Sequence, residues 1–149
     1  MPPQTCIQLR EYEMALAHTP VLLDELVELL RPAAGETAID CTFGAGGHAA
    51  AVAAALGPAG RLIAVDRDPS VVEYFRDVAV AAPCACELHH GDFADVLAAR
   101  DSASADLVYM DLGVSSMQLD RRERGFSYAY DAPLDMRMDP ESQVTAADL

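Results

Sequence analysis

The chain has 149 residues, 52% of them hydrophobic and 23% charged, and its 24 acidic residues against 10 basic ones give a formal net charge of −14. It is too short for two full domains and long enough for one that buries about 70% of its unfolded surface, and this composition excludes disorder over the whole length. All the basic residues are arginines, and so acidic a balance argues against a nucleic-acid partner, which normally meets a basic patch.

Residues 1–13 carry no clear period and residues 1–16 read as an N-terminal extension, with Met14 an alternative start. Arg10, Glu11 and Glu13 interrupt any signal-peptide core, and no apolar run reaches the roughly 18 residues of a membrane helix, so the cytoplasm is the expected location. Thr19-Pro20 reads as an N-cap followed by proline at the first helical position. Val21, Leu22, Leu26, Leu29 and Leu30 give that helix its apolar stripe, and Pro32 and Gly35 end it.

Thr37–Cys41 is then a short strand, and His48–Leu56 an Ala-rich helix stopped by Gly57-Pro58. Arg61–Asp66 is a strand apolar enough to be covered on both faces. Asp68-Pro69 caps a helix running to about Ala81. Cys84–His89 is a weaker strand, Phe93–Arg100 a short helix and Asp106–Met110 a fourth strand. This alternation predicts βαβ units, a parallel sheet and helices on both faces. Residues 112–149 carry no strand signal, and Thr145–Leu149 reads as the first turn of another helix. Cys6, Cys41, Cys84 and Cys86 form no disulfide framework and read as buried thiols. A zinc site from Cys84 and Cys86 with His89 and His90 lacks the usual ligand spacing and ranks well behind.

Asp40-Cys-Thr-Phe-Gly44-Ala-Gly46-Gly47-His48-Ala49 joins the first strand to its helix. Glycines let the backbone turn tightly and approach a ligand, and the helix start attracts an anionic group. Gly44, Gly46 and Ala49 satisfy the dinucleotide pattern, and Asp66 stands where a ribose diol would be accepted. These features alone suit nicotinamide cofactors, S-adenosylmethionine or a turn with no ligand. Phe93 follows the third strand, where adenine would lie; it can cover that ring or fill the core. Asp111 ends the fourth strand at the topological switch point, where a carboxylate suits group transfer better than hydride transfer, unless it only caps a turn.

Together, His18-Thr-Pro-Val-Leu-Leu-Asp-Glu25, Asp40–His48, Asp66-Arg-Asp-Pro69, Asp111-Leu-Gly-Val-Ser-Ser116, Arg124-Gly-Phe-Ser127 and Pro133-Leu-Asp-Met-Arg-Met-Asp139 form a long ordered set. In these the chain resembles the RsmH (MraW) family of bacterial ribosomal RNA methyltransferases from about Ala17 to Leu149. The resemblance implies a Rossmann-like, class I S-adenosylmethionine-dependent fold. Its parallel sheet would be incomplete, with about four strands in the order 3-2-1-4. Residues 17–113 would be a partial methyltransferase domain and 114–149 the truncated start of an inserted helical domain, since family members are substantially longer.

It also implies methylation of the exocyclic N4 of a cytosine in the decoding region of 16S ribosomal RNA in the small subunit. Gly46, Gly47 and His48 would hold the methionine part of the cofactor, Asp66 the ribose and Phe93 the adenine, with Asp111 and Gln118 completing the pocket. Met117 departs from the proline of many relatives.

A sulfonium is already a strong electrophile, so this chemistry requires no metal. The cytosine amine is a poor nucleophile, and Asp111 is the candidate catalytic acceptor for it, although the Asp-Pro-Pro-Tyr segment of other amino-methyltransferases is here Asp111-Leu-Gly-Val. The base must be unpaired or flipped to reach the pocket. Arg121, Arg122, Arg124 and Arg137 could meet phosphates, or pair with Asp120, Glu123 and Asp139. Two other readings stay open: a cofactor-binding fragment without turnover, and a nicotinamide-dependent oxidoreductase, which leaves Asp111–Ser116 unexplained.

Overall fold

The computed structural model describes residues 20–129 and 131–149; the expected extension 1–16, Cys6 and the Thr19 cap lie outside the described residues. In chain order, α1 is Leu23–Leu30, β1 Thr37–Asp40, α2 Gly47–Leu56, β2 Arg61–Asp66, α3 Val72–Ala81, β3 Ala85–His90, α4 Phe93–Ala98, β4 Leu107–Tyr109 and α5 Ser116–Leu119. Single 3-10 turns occupy Pro69–Val71, Arg122–Arg124 and Ala146–Asp148. The strands form one parallel sheet in the order β3-β2-β1-β4.

The two-residue period of a strand explains the layering. Leu62 and Ala64 point to one face, where they meet Ala38, Val52, Leu56, Val71 and Val78. Ile63 and Val65 point to the other and pack with Ile39 and Cys41 against Phe93, Val96 and Leu97. β2 is thus covered on both sides, as its unbroken apolar run predicts. The alanines of α2 serve close approach to the sheet: Ala49, Ala50, Ala51 and Ala53 are all buried.

The first helix corrects the sequence reading. It starts at Leu23 rather than Pro20, because Leu22 adopts a left-handed backbone (φ 58°) that breaks the first turn. Of the expected stripe only Leu26 and Leu30 pack on the core, whereas Val21, Leu22 and Leu29 are exposed. Asp68 does cap the next helical segment, accepting from the Ser70 N–H at 3.0 Å ahead of the 3-10 turn that leads into α3. Cys41 and Cys84 are buried, with the Cys84 and Cys86 sulfurs 3.9 Å apart. After β4 no strand occurs among the described residues. Thr145 and Asp148 close the expected C-terminal turn as a reciprocal cap. Among the described residues no helix is long and apolar enough to cross a membrane.

Candidate functional site

A cleft of about 790 Å³ opens at the carboxyl ends of the strands, where β1 separates β2 from β4 and open α/β sheets bind ligands. Its floor is the glycine loop. The Phe43 N–H donates to the Val65 carbonyl at 3.0 Å, and the Gly46 N–H to the Phe43 carbonyl at 2.9 Å. Gly46 has φ 81°, and a Cβ there would lie 2.6 Å from the Phe43 ring and 2.8 Å from Val78. A Cβ on Gly47 would lie 2.1 Å from the Pro20 ring. Both positions therefore need glycine, and α2 starts there with first-turn N–H groups that lack intrahelical partners. His48 joins this wall with its Nε2 3.0 Å from the Val21 carbonyl.

Asp66 ends β2 behind the loop. One oxygen accepts from the Gly44 N–H at 2.8 Å and the other from the Asp68 N–H at 2.9 Å. Burial pushes its carboxyl above the ordinary value, and those backbone bonds offset part of the rise. Each oxygen keeps acceptor capacity for a further donor. Phe93 packs on the Ile39–Ile63 face, as the core reading expects, and also lines the cleft. Asp111 is exposed at the cleft, and its N–H donates to Thr42 Oγ1 at 2.7 Å.

Gln118 reaches the cleft as a wall, with its amide committed to the protein. Oε1 accepts from the Ser115 N–H at 3.0 Å, and Nε2 donates to Asp68 Oδ2 at 3.1 Å. Asp68 is the residue whose importance sequence reasoning missed. It is 1% exposed. One of its oxygens takes the Ser70 N–H and hydroxyl, and the other takes Gln118 and Arg124 Nη1, the latter at 2.9 Å. Burial alone would raise the Asp68 carboxyl, but the bonds from Ser70, Gln118 and Arg124 outweigh it and hold it below the ordinary value. The sequence shows only a helix cap at Asp-Pro and nothing of a partner 56 residues away.

The arginines also differ from expectation. Arg124 pairs with Asp68 and donates to the carbonyls of Arg137 and Met138 at 3.0 and 2.9 Å. Arg122 donates to the Asp131 carbonyl, and Arg137 pairs with Asp135 at 2.7 Å. None of these three forms an ion pair with Asp120, Glu123 or Asp139 among the described residues. Arg121 lines the cleft and is exposed. The imidazoles suggested for zinc face other partners: His89 lies 2.5 Å from Glu87, and His90 2.9 Å from the Arg67 carbonyl.

Sheet order, glycine turn and the carboxylate closing β2 together define a Rossmann-like fold of the class I methyltransferase type. An S-adenosylmethionine-dependent O-methyltransferase from Thermotoga maritima shares the fold at a TM-score of 0.53 and 18% identity, over 70% of this chain and 40% of that one. The family model for MraW methylases matches residues 15–149, and the chain belongs to that family.

Relatives named ribosomal RNA small subunit methyltransferase H include those of Mycolicibacterium paratuberculosis, 49% identical over 89% of this chain and 38% of the relative, and Thermobifida fusca, 47% identical over 91% and 42%. A third, from Syntrophotalea carbinolica, is 45% identical over 89% of this chain and 43% of the relative. The chain thus spans about two fifths of the length of the curated relatives it matches. Membership of this family removes the nicotinamide reading that the glycine pattern alone leaves open.

Proposed function

We propose that this chain carries the cofactor pocket of an S-adenosylmethionine-dependent methyltransferase acting on the N4 amine of a cytosine in the decoding region of 16S ribosomal RNA, within the small ribosomal subunit. In this reading residues 17–113 form the cofactor-binding part, and 114–149 begin the part that meets substrate.

The observation that carries the proposal is the pairing of the glycine loop with Asp66. Two glycines leave no room for a side chain, and the carboxylate behind them is held by the Gly44 and Asp68 N–H groups with acceptor capacity to spare. That cradle fits a nucleoside attached to a small zwitterion. Asp66 and Asp111 both border the cleft, which also suits a ligand of positive charge.

When bound, the cofactor supplies an electrophilic methyl group. The chain's residues do the rest. Gly46, Gly47 and His48 bind the methionine part at the start of α2, where backbone N–H groups favour its carboxylate. Asp66 accepts from the ribose hydroxyls, and Phe93 lies along the adenine. Gln118 shapes the wall and fixes the loop after β4. Asp111 accepts a hydrogen bond from the incoming amine and stabilises the positive charge that develops there. The anchoring of its N–H by Thr42 sets its position.

The test uses a protein of full family length. Asp111→Ala is expected to abolish N4-methylcytosine formation on small ribosomal subunits, read by mass spectrometry of the digested RNA. Undiminished product would remove Asp111 from both the acceptor and the essential cofactor-ligand roles.

A further inference from the structure

Beneath the glycine loop lies a carboxyl that the proposed chemistry leaves unused. Asp40 ends β1 and is 1% exposed, in register with Ala64 on β2 and Tyr109 on β4. Its Oδ1 accepts from the Thr42 N–H at 3.0 Å. Its Oδ2 is buried and makes no hydrogen bond, and neither does the buried Tyr109 hydroxyl. A buried carboxylate with one unpartnered oxygen is costly when ionised and far less so when protonated.

The charges around Asp40 deepen that cost. Asp66 faces it from the end of β2, and Asp111 from beyond β4. Cys41 follows it in the chain, with a thiol pushed up by burial. α2, packed on this face of the sheet, carries His48 as its one titratable residue, and that ring sits against the Val21 carbonyl. Burial first, then Asp66 and Asp111, push the Asp40 carboxyl up to about 7, against the opposing hydrogen bond from the Thr42 N–H and the influence of the neighbouring Tyr109 hydroxyl, which favours the carboxylate without a formed bond.

We propose that Asp40 is a proton-exchanging positioning residue. It gives up its proton when a cationic methyl donor enters the cleft above it, and takes one back when the donor's charge is gone. The inference rests on the cofactor reading above. S-adenosylmethionine carries one more positive charge than S-adenosylhomocysteine, so the site tells donor from product by charge. The proton goes to solvent, and no bond of the donor changes.

A route to the reacting group is also present. Ionised Asp40 holds the Thr42 N–H by a charge-assisted bond. Thr42 Oγ1 in turn accepts from the Asp111 N–H at 2.7 Å. Filling the cleft with a cation thereby tightens the support of Asp111.

The experiment is titration calorimetry of the whole chain with S-adenosylmethionine and with S-adenosylhomocysteine, in paired buffers of different ionisation enthalpy from pH 6 to pH 8. Near pH 7, S-adenosylmethionine is expected to release roughly half a proton more than S-adenosylhomocysteine, and the donor-to-product affinity ratio to rise roughly five- to tenfold across that range. Asp40→Asn has no proton to exchange, so the excess vanishes. Tyr109→Phe removes a group that stabilises the carboxylate, and moves the release to higher pH.

Equal proton counts for the two ligands in the unaltered chain would overturn the proposal. So would an unchanged excess in Asp40→Asn or, should that variant fail to fold, an unmoved profile in Tyr109→Phe. Binding of neither ligand would instead refute the cofactor reading, and this inference with it.

Discussion

On one side of the cleft, the loops after β1 and β2 leave strands whose core side chains, such as Leu62, Ile63 and Val65, are closed to solvent. On the other, residues 111–149 leave Leu112, Val114, Leu134 and Val144 open to it. The first region is held by burial, at about 1.5–3 kcal/mol for each fully buried aliphatic side chain. The second is held by polar pins: the Ser115–Gln118 cap, the Asp135–Arg137 pair, the Ala146 N–H on the Asp135 carbonyl and, above all, Asp68. Two bonds to one buried carboxylate, from Gln118 and Arg124, lead the join between the regions, beside the Asp111 N–H on Thr42 Oγ1 and Met117 packed against the core. The lesson is that one wall of the cleft can loosen without the other.

The sharpest break should come from Arg124→Ala. It strands the Asp68 carboxylate without its cation, a loss of about 3–5 kcal/mol for a buried pair. Hydrogen exchange should show residues 114–149 losing protection while β1 and β2 keep theirs; equal loss in both regions would dissolve the distinction. Leu62→Ala comes next. It opens a cavity on the face shared with α2 and costs about 2–5 kcal/mol. It should lower the thermal midpoint of the whole chain, with both regions exchanging together.

Asp66→Ala should leave the fold standing. By losing charge-assisted bonds to the ribose, of about 1.5–3 kcal/mol, it should weaken S-adenosylmethionine binding roughly tenfold or more, read by calorimetry. Titrated affinity equal to that of the unaltered chain would remove the ribose assignment.

Acid should separate the regions most gently. The Asp40 carboxyl is raised from 3.8 to about 7, so its contribution to folding is fully present below its unfolded value and fades as pH rises toward 7. Asp68 is held below 3.8, so its contribution is present above that value and disappears as pH falls through the lowered one. Lowering the pH from 7 to 4 should therefore firm the sheet. Further acid should release residues 114–149 first, as an early loss of their exchange protection.

What could be read from the sequence divides along the same line. β2 was legible because residues 62–65 are apolar without a break between Arg61 and Asp66, and the sheet order followed from the family resemblance; both are found. Gly46, Gly47, Asp66, Phe93 and Asp111 were legible as a group because each closes a strand or opens a helix, and the cleft gathers them. The start of α1 was not, because a φ of 58° at Leu22 is a backbone choice that the leucine pattern does not record. The partner of Arg124 was not, because a charge shows its sign and not its destination, and nearer acids competed for it. Asp40 looked like one more residue at the end of a strand, because burial and an unpartnered oxygen belong to the assembled sheet.

The pairing of β4 with β1 has a further consequence, in the order of assembly. Thr37 finds Arg61 after 24 intervening steps of chain, whereas Ala38 finds Leu107 after 69. Closing the longer loop costs about 1 kcal/mol more entropy than closing the shorter. The hairpin-free core of β1, β2 and β3 can thus collapse around α2 and α3 before β4 arrives. The Thr42–Asp111 bond, which spans the same 69 residues, then forms in the last step. In the proposed reading, the growing chain would complete the cofactor seat early and gain Asp111 at its mouth late, so that binding competence would precede chemical competence along the folding route.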